Sequence, residues 1–442
     1  MEYVLYKRKS GESIMVSARI FILLVSLIKL IYDFVIAKIA DKQRQKPLPE
    51  EVSDIYDKDR YQTYLNYVSD SKKLSNKHAL ITLIIDVIFI FSPIYTYIEV
   101  GCNSNPYLTY LALYSVLTVV STITGTWYSY VDTFTIEEKY GRNKMDLKEF
   151  IKDTVLDNGF SIFLMIVLGE GIVFIGEHMA IWTNDFTIGL IGSILVCLGI
   201  FVAIFAFVQV MKFISYVVLK KQYDFTPLEE GDLKDKINKL QESSKKKVKY
   251  IYVYNESKKT TTKNAFLLKL FWHREFGIAD NFMNENAEDE LLAVLSHEIG
   301  HLKHKKNILN YLNYVGVGLI FVLTAILLYN PSLCLTINAW IRDSFSITTN
   351  NYYLIMLVYM GLYTPISYLI GLFNTFRSRQ EEYEADREAV KNGYGEPLIK
   401  LFKDLSRDEL VNVNPHPFIE FTEYDHPGMY QRIKAIRREE NR

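Results

Sequence analysis

Cysteine is scarce in this sequence, with three in 442 residues, which excludes a fold stapled by disulfides. There is no excess of basic charge either. Fifty Lys and Arg face 51 Asp and Glu for a net charge of −1, so the positive footprint that holds a nucleic-acid backbone is missing and no nucleic-acid partner is expected. Eleven prolines and 21 glycines are too few for a collagenous or Pro/Gly-rich disordered chain. Neither an internal repeat nor a low-complexity tract occurs, and the terminal Glu440-Asn441-Arg442 is not a prenylation box. What the chain has in quantity is apolar surface: 49% of its residues are hydrophobic and 14% aromatic. Its mean hydropathy is nevertheless only +0.05, because long apolar runs are set apart from densely charged blocks.

Seven runs reach the length of about 18 residues that crosses a bilayer: 20–37, 79–100, 107–128, 160–182, 187–219, 311–329 and 352–373. The expected fold is therefore an all-α polytopic membrane protein with seven transmembrane helices in a lipid bilayer. Lys29 and Asp33 interrupt the first run and can pair at i, i+4; its length and these charges fit a signal peptide poorly. Further ionisable groups inside runs are Asp86, Glu170, Glu177 and His178. Such groups are costly in lipid and face a partner or a water-filled space.

Basic residues sort by side. Residues 41–78 hold eight Lys and Arg and 131–159 hold five, whereas 101–106 and 183–186 hold none and 330–351 only Arg342. The positive-inside rule makes the charged blocks cytoplasmic, including those after the fifth and seventh runs. The N-terminus is then outside, against the local bias of Lys7, Arg8, Lys9 and Arg19. Four regions follow: 1–219 with five spans, a cytoplasmic catalytic segment 220–310, spans six and seven over 311–373, and a cytoplasmic C-terminal segment 374–442. Cys102 and Cys334 fall in short outer loops where a disulfide can persist, but pairing needs a short Cα separation that no sequence reveals. Cys197 lies in the fifth run.

Between the fifth and sixth runs, residues 288–306 read as one helix containing His297-Glu298-Ile299-Gly300-His301. On a helix i and i+4 share a face, so both imidazoles can reach one zinc ion. Glu298, one step round, can accept a proton from an activated water and pass it to the leaving amine. A catalytic zinc needs a third protein ligand and an open position. The helical pattern of 377–390, two spans later and so back on the same side, offers Glu381, Glu382 and Glu384. Spacing gives Glu382 only a modest edge, because Asp386 one turn on could orient a ligating histidine. His304 shares the helix face, but consecutive turns do not easily converge three ligands on one ion.

With these residues in view, the sequence resembles the Ste24 family of CAAX prenyl proteases, membrane zinc metalloproteases with seven spans. The resemblance rests on the zinc helix and on Ser378 to Asp386, similar to the family's SRxxEYxAD block. It extends to Phe134 to Lys144, the run from Phe225 to Ile237, Lys249 to Val253, Asn264 to Phe266, Asn414 to Phe418 and His426 to Ile433. It implies Glu382 as third ligand of a single zinc ion, Asp386 behind the histidines, His426 as a donor to the developing oxyanion, and Asn264 and Arg432 at the substrate. It also implies spans arranged like staves around a large water-filled chamber, with the zinc site at the cytoplasmic end beside a small α+β metalloprotease domain.

Two departures from the family stand out: residues 267–280 replace its usual Gly-containing turn and strand, and Leu302 stands where Trp is common. The expected activity is endoproteolysis at the C-terminus of prenylated proteins or of other membrane-associated peptides. The enzyme is expected to be a monomer, in a bacterial cell membrane or the endoplasmic reticulum. The near rival is an HtpX-like quality-control metalloprotease, which has fewer spans. A site-2-type protease would bury its motif in an apolar run, whereas here Glu288, Asp289, Glu290, Lys303, Lys305 and Lys306 flank it. A transporter using the intramembrane charges would leave the paired ligand sets unexplained.

Overall fold

The computed structural model describes residues 17–179, 209–242, 247–261, 264–270, 273–283, 288–303 and 331–442, together with 199, 202 and 206. The sixth apolar run lies outside the described residues, as does most of the fifth, and His304 with them.

The described part is mostly helical, and its long helices start where short polar side chains can hold free N–H groups. Helix α1 (Ala18–Arg44) is capped by Ser17, α2 (Lys58–Phe91) by Asp57, and α4 (Pro106–Val131) by Asn105 ahead of a proline in its first turn. Asp146 accepts from the Glu149 amide at the start of α5 (Leu147–Met179). Five described helices are long and apolar enough to cross a membrane: α1, α2, α4 with its continuation to Glu137, α5 through Phe174, and the later helix Tyr352–Lys391. Ile28, Ile31 and Phe34 of α1 are more than half exposed, the pattern of a helix whose outer face meets lipid rather than a protein core.

These helices overrun their apolar segments. The 34 residues of α2 span about 51 Å, against a hydrocarbon layer of about 30 Å. Much of the charged block 41–78 is therefore a helical extension of a span rather than a loop, and the same holds for 147–159 on α5. The second apolar run is not one helix. It stops at Phe91, turns at Ser92-Pro93, and resumes as α3 (Ile94–Gly101); proline disfavours helical backbone in the residue before it, and Ser92 is extended with ψ 159. Between α4 and α5 the chain makes a π-helical turn over Asp132–Glu137.

The polar groups within the spans meet several fates. Asp86 lines a cavity of about 370 Å³ with Thr82, Tyr114, Thr118, Ser121 and Asn158. A second cavity, of about 540 Å³, shares Ser121, Thr122 and Asn158 with it and reaches Asp153 and Asp157. Glu177 accepts a hydrogen bond from Tyr352 at 2.6 Å. Lys29 and Asp33 are both exposed, and among the described residues no ion pair joins them, contrary to the i, i+4 expectation. Cys102 is a free thiol.

Outside the apolar runs, four strands form a sheet in the order β1-β2-β4-β3: β1 (Phe225–Pro227), β2 (Tyr250–Tyr254), β3 (Ala265–Leu270) and β4 (His273–Ala279). Strands β2 and β4 are parallel, the other pairs antiparallel, so among the described residues β3 is an edge strand. Helix α6 (Asp232–Leu240) precedes β2, and α7 (Glu288–Lys303) carries the two histidines. Ile251, Phe276 and Ile278 of the sheet share a buried core with Leu291, Leu295, Ile299 and Leu302 of α7. Leu302, where the family favours tryptophan, is part of that core.

Helix α8 (Pro331–Phe345) leads to α9 (Tyr352–Lys391), whose 40 residues are about 60 Å long. It passes through position 373 unbroken, carrying the span out of the apolar region and into the site. Helices α10 (Gly395–Asp408), α11 (Pro417–Glu423) and α12 (Met429–Glu440) complete the chain. A second core joins Ala293 of α7, Ala389 of α9, Leu398 and Phe402 of α10 and Ile433 of α12 to Val52 and Tyr56.

Candidate metal centre

Two helices make the site, and a missing side chain lets them meet. A Cβ placed on Gly300 would stand 2.7 Å from the Ala385 Cα, closer than carbon atoms pack. Gly300 lies between the two histidines in sequence and Ala385 between Glu382 and Asp386, so the crossing point of α7 and α9 is the centre of both motifs. Asn392 Nδ2 donates to Ser296 Oγ at 2.6 Å and Lys303 pairs with Glu388, bracing the crossing on either side.

This approach brings His297, His301 and Glu382 together. The two Nε2 atoms are 3.2 Å apart, His301 Nε2 is 3.2 Å from Glu382 Oε1, and His297 Nε2 is 3.4 Å from Glu382 Oε2. Ligands at about 2.0–2.1 Å from a tetrahedral ion lie about 3.3 Å from one another. Glu382 Oε2 is buried and makes no hydrogen bond, its cationic neighbours His297 Nε2 and Arg432 Nη2 both standing off at 3.4 Å, a costly state that a closer cation would relieve. Two imidazoles and a carboxylate are also a donor set typical of catalytic zinc, leaving one position open. The residues therefore fit a metal ion. The ligand atom of Glu298 lies within 4.8 Å of those of His297 and His301; Glu298 is half-buried.

Of the other two acids, Glu381 is turned to Arg377, accepting at 2.7 and 3.0 Å, and Glu384 is exposed. Asp386, 1% exposed, accepts from His297 Nδ1 at 2.9 Å. That bond fixes the tautomer whose Nε2 lone pair points into the site. Burial alone would lower the His297 pKa, but the carboxylates of Asp386 and Glu382 beside it outweigh burial and push it up to about 9, so the site favours a positive charge at Nε2, where a metal ion would take the place of a proton.

Arg432 is placed differently from the substrate contact implied by the resemblance. It is buried beneath the site, with Nε and Nη2 on the two Asp386 oxygens at 2.9 and 2.6 Å. Its Nη2 stands 3.4 Å from Glu382 Oε2, and its guanidinium lies 4.2 Å from the Phe402 ring. It balances two buried carboxylates, and the fork geometry makes that pairing strong. His426 is exposed, with Nε2 3.5 Å from Glu382 Oε1 and Nδ1 2.8 Å from Asp425 Oδ1. Asn264 is exposed at the start of β3, where its carbonyl accepts from the Ala279 amide at 2.9 Å. At the other end of that strand Lys269 Nζ reaches the His301 carbonyl at 3.4 Å, so the edge strand runs beside the helix that bears the histidines.

Residues 38–214 match the family model for the CAAX prenyl protease N-terminal region with its five membrane helices, and residues 227–440 match peptidase family M48. The chain belongs to the Ste24 family. As a member it is a membrane metalloendopeptidase. The chain is 25% identical over 405 residues to the CAAX prenyl protease 1 homolog of Arabidopsis thaliana, covering 88% of this chain and 90% of that one. It is 29% identical over 336 residues to CAAX prenyl protease 1 of Saccharomyces cerevisiae, covering 74% and 71%. The crystal structure of Ste24p from S. mikatae superposes with a TM-score of 0.78 at 25% identity, covering 96% of this chain and 99% of that one. The HtpX-like alternative is not favoured, since the N-terminal match extends over the membrane region and the described residues alone include five candidate spans.

Residue patterns alone missed Gly300 and Ala385 as the contact between helices, although small residues inside both motifs were a visible signal. They also gave no role to Arg379, which donates through Nη1 to the carbonyls of Glu420, Phe421 and Tyr424.

Proposed function

We propose that this protease removes C-terminal tripeptides from prenylated proteins, or cuts other membrane-associated peptides, with one zinc ion held by His297, His301 and Glu382. The observation that carries the reading is the convergence of ligand atoms, the two Nε2 atoms 3.2 Å apart and each 3.2 or 3.4 Å from one of the two Glu382 oxygens, backed by the buried Asp386–Arg432 pair. A zinc ion there would supply a Lewis acid, lowering the pKa of water and polarising the scissile carbonyl.

The chain's own residues do the rest. Glu298 takes the proton of the attacking water and delivers it to the leaving amine. His426, through Nε2, donates to the carbonyl oxygen as it gains charge. The open edge of β3 accepts the substrate backbone as an added strand, with Asn264 at its start. Asp386 keeps His297 in the ligating tautomer, and Arg432 keeps the two carboxylates from repelling each other, a positioning role in place of substrate contact.

The remaining architecture follows the same reading: a monomer with seven spans around a chamber, to which the two cavities lined by Asp86, Asn158 and Asp157 belong, and an active site facing the cytoplasm as the basic loops require. The sheet and the helices around it form the small α+β metalloprotease domain. The direct test compares cleavage of one peptide in prenylated and unprenylated form by the purified protein, with and without chelator. Chelator-insensitive cleavage refutes the metal reading. Equal rates on both peptides refute the preference for prenylated substrates and leave general membrane proteolysis.

A further inference from the structure

We infer that Arg379 is a positioning residue for His426, an assignment that rests on the reading of His426 as the oxyanion donor. The side chain of His426 is 57% exposed, so packing does not hold it. Its reach of 3.5 Å to Glu382 is set by the backbone that carries it, and that backbone is clamped at two points. After α11 the chain leaves through Tyr424, which is extended with φ −94 and ψ 123. The Tyr424 carbonyl accepts from Arg379 Nη1 at 2.5 Å, as do those of Glu420 at 2.8 Å and Phe421 at 3.3 Å. Four residues on, the Gly428 amide donates to Glu420 Oε1 at 3.1 Å, and Gly428 caps the helix that bears Arg432. Only Asp425, His426 and Pro427 lie between the clamps, and Pro427 has its φ fixed.

Arg379 is 7% exposed, and among the described residues no carboxylate pairs with it. A buried guanidinium without an anion is costly; here the carbonyls that end α11 supply the negative charge, as they do for basic side chains at other helix C-termini. Arg379 stands three residues before Glu382 on the same face of α9, one helical turn away. The brace therefore runs from the helix of the proposed third ligand directly to the loop of the proposed donor, and fixes the distance between them. A shift of about 1 Å in such a group lowers turnover about a hundredfold, the same size as losing one oxyanion donor.

The test is a double-mutant cycle on the full-length purified protein, using Arg379→Met, His426→Ala and the pair, with kcat, KM and bound zinc measured on a prenylated peptide. Each single change should lower kcat about a hundredfold with zinc retained. The double variant should be no slower than His426→Ala by more than about threefold, because a donor that is absent cannot be misplaced. Arg379→Lys, which still offers donors to one or two carbonyls, should recover part of the loss. If Arg379→Met does not fold, the cycle is run with Arg379→Lys instead. Losses that multiply in the pair, or zinc lost with activity, make Arg379 a general structural residue and overturn the inference while leaving His426 in place. An unchanged kcat in His426→Ala overturns the reading of His426 and this inference with it.

Discussion

Replacing Gly300 by alanine sets two known effects against each other. In the middle of an exposed helix, Gly→Ala stabilises by about 1 kcal/mol, through lower unfolded-state entropy and higher helix propensity. At Gly300 the new Cβ meets Ala385 Cα at 2.7 Å and both Ala385 Cβ and the Ala385 carbonyl oxygen at 3.2 Å. Carbon atoms at their optimum stand about 3.5–4.0 Å apart, so α7 and α9 must part by about 1 Å. Overpacking of this kind costs about 1–3 kcal/mol, enough to cancel or exceed the propensity gain.

The larger effect falls on the site. The same 1 Å opens the 3.2 Å and 3.4 Å separations between the histidines and Glu382, and a ligand set loosened by that much loses about a hundredfold in turnover. Zinc affinity should fall together with kcat/KM, measured by metal analysis across a chelator series and by peptide cleavage. Ala385→Gly in the same chain should restore only part of both, because Ala385 Cα and its carbonyl oxygen remain. A Gly300→Ala protein that is more heat-stable and keeps full zinc and activity would refute the idea that the helix contact at Gly300 sets the ligand geometry.

Glu298→Gln should retain zinc and lose several powers of ten in turnover, since it removes the base without removing a ligand; loss of metal in this variant would make Glu298 a ligand. Glu382→Ala should lose metal and activity together, while Glu381→Ala, which breaks only the pair with Arg377, should keep both; the reverse result transfers the ligand role to Glu381. Asp386→Asn should weaken zinc binding about 10- to 100-fold and leave Arg432 with only the more distant of its two buried carboxylates, Glu382 at 3.4 Å, so folding stability should fall by up to about 3–5 kcal/mol, the cost of a fully unpaired buried charge, read by metal titration and by denaturant unfolding. Maleimide applied to the outside of intact vesicles should label Cys102 without a reductant, and labelling only after the vesicles are opened would reverse the orientation of the spans.

Some of this protein is determined by local sequence. Apolar runs longer than a bilayer is thick must be satisfied by helices, because lipid offers no partner for backbone polar groups, so α1, α4 and α5 are legible without any structure. The i, i+4 spacing of His297 and His301 likewise puts them on one face of any helix they form. Where each helix ends was not legible: α2 and α9 run on past their apolar segments because charged residues that lipid rejects are still good helix formers in water, and Ser92-Pro93 divides a run that hydropathy alone joins. The choice among Glu381, Glu382 and Glu384 belongs to tertiary structure, since all three lie on one helix with the same chemistry. The close contact of Gly300 with Ala385 sets the face of α9 that meets the histidines, and Glu382 lies on that face, whereas Glu381 pairs with Arg377 and Glu384 is on an exposed face. The place of Arg432 was decided in the same way: its pattern allowed a substrate contact, and the packing of α12 against α9 buried it against Asp386 instead.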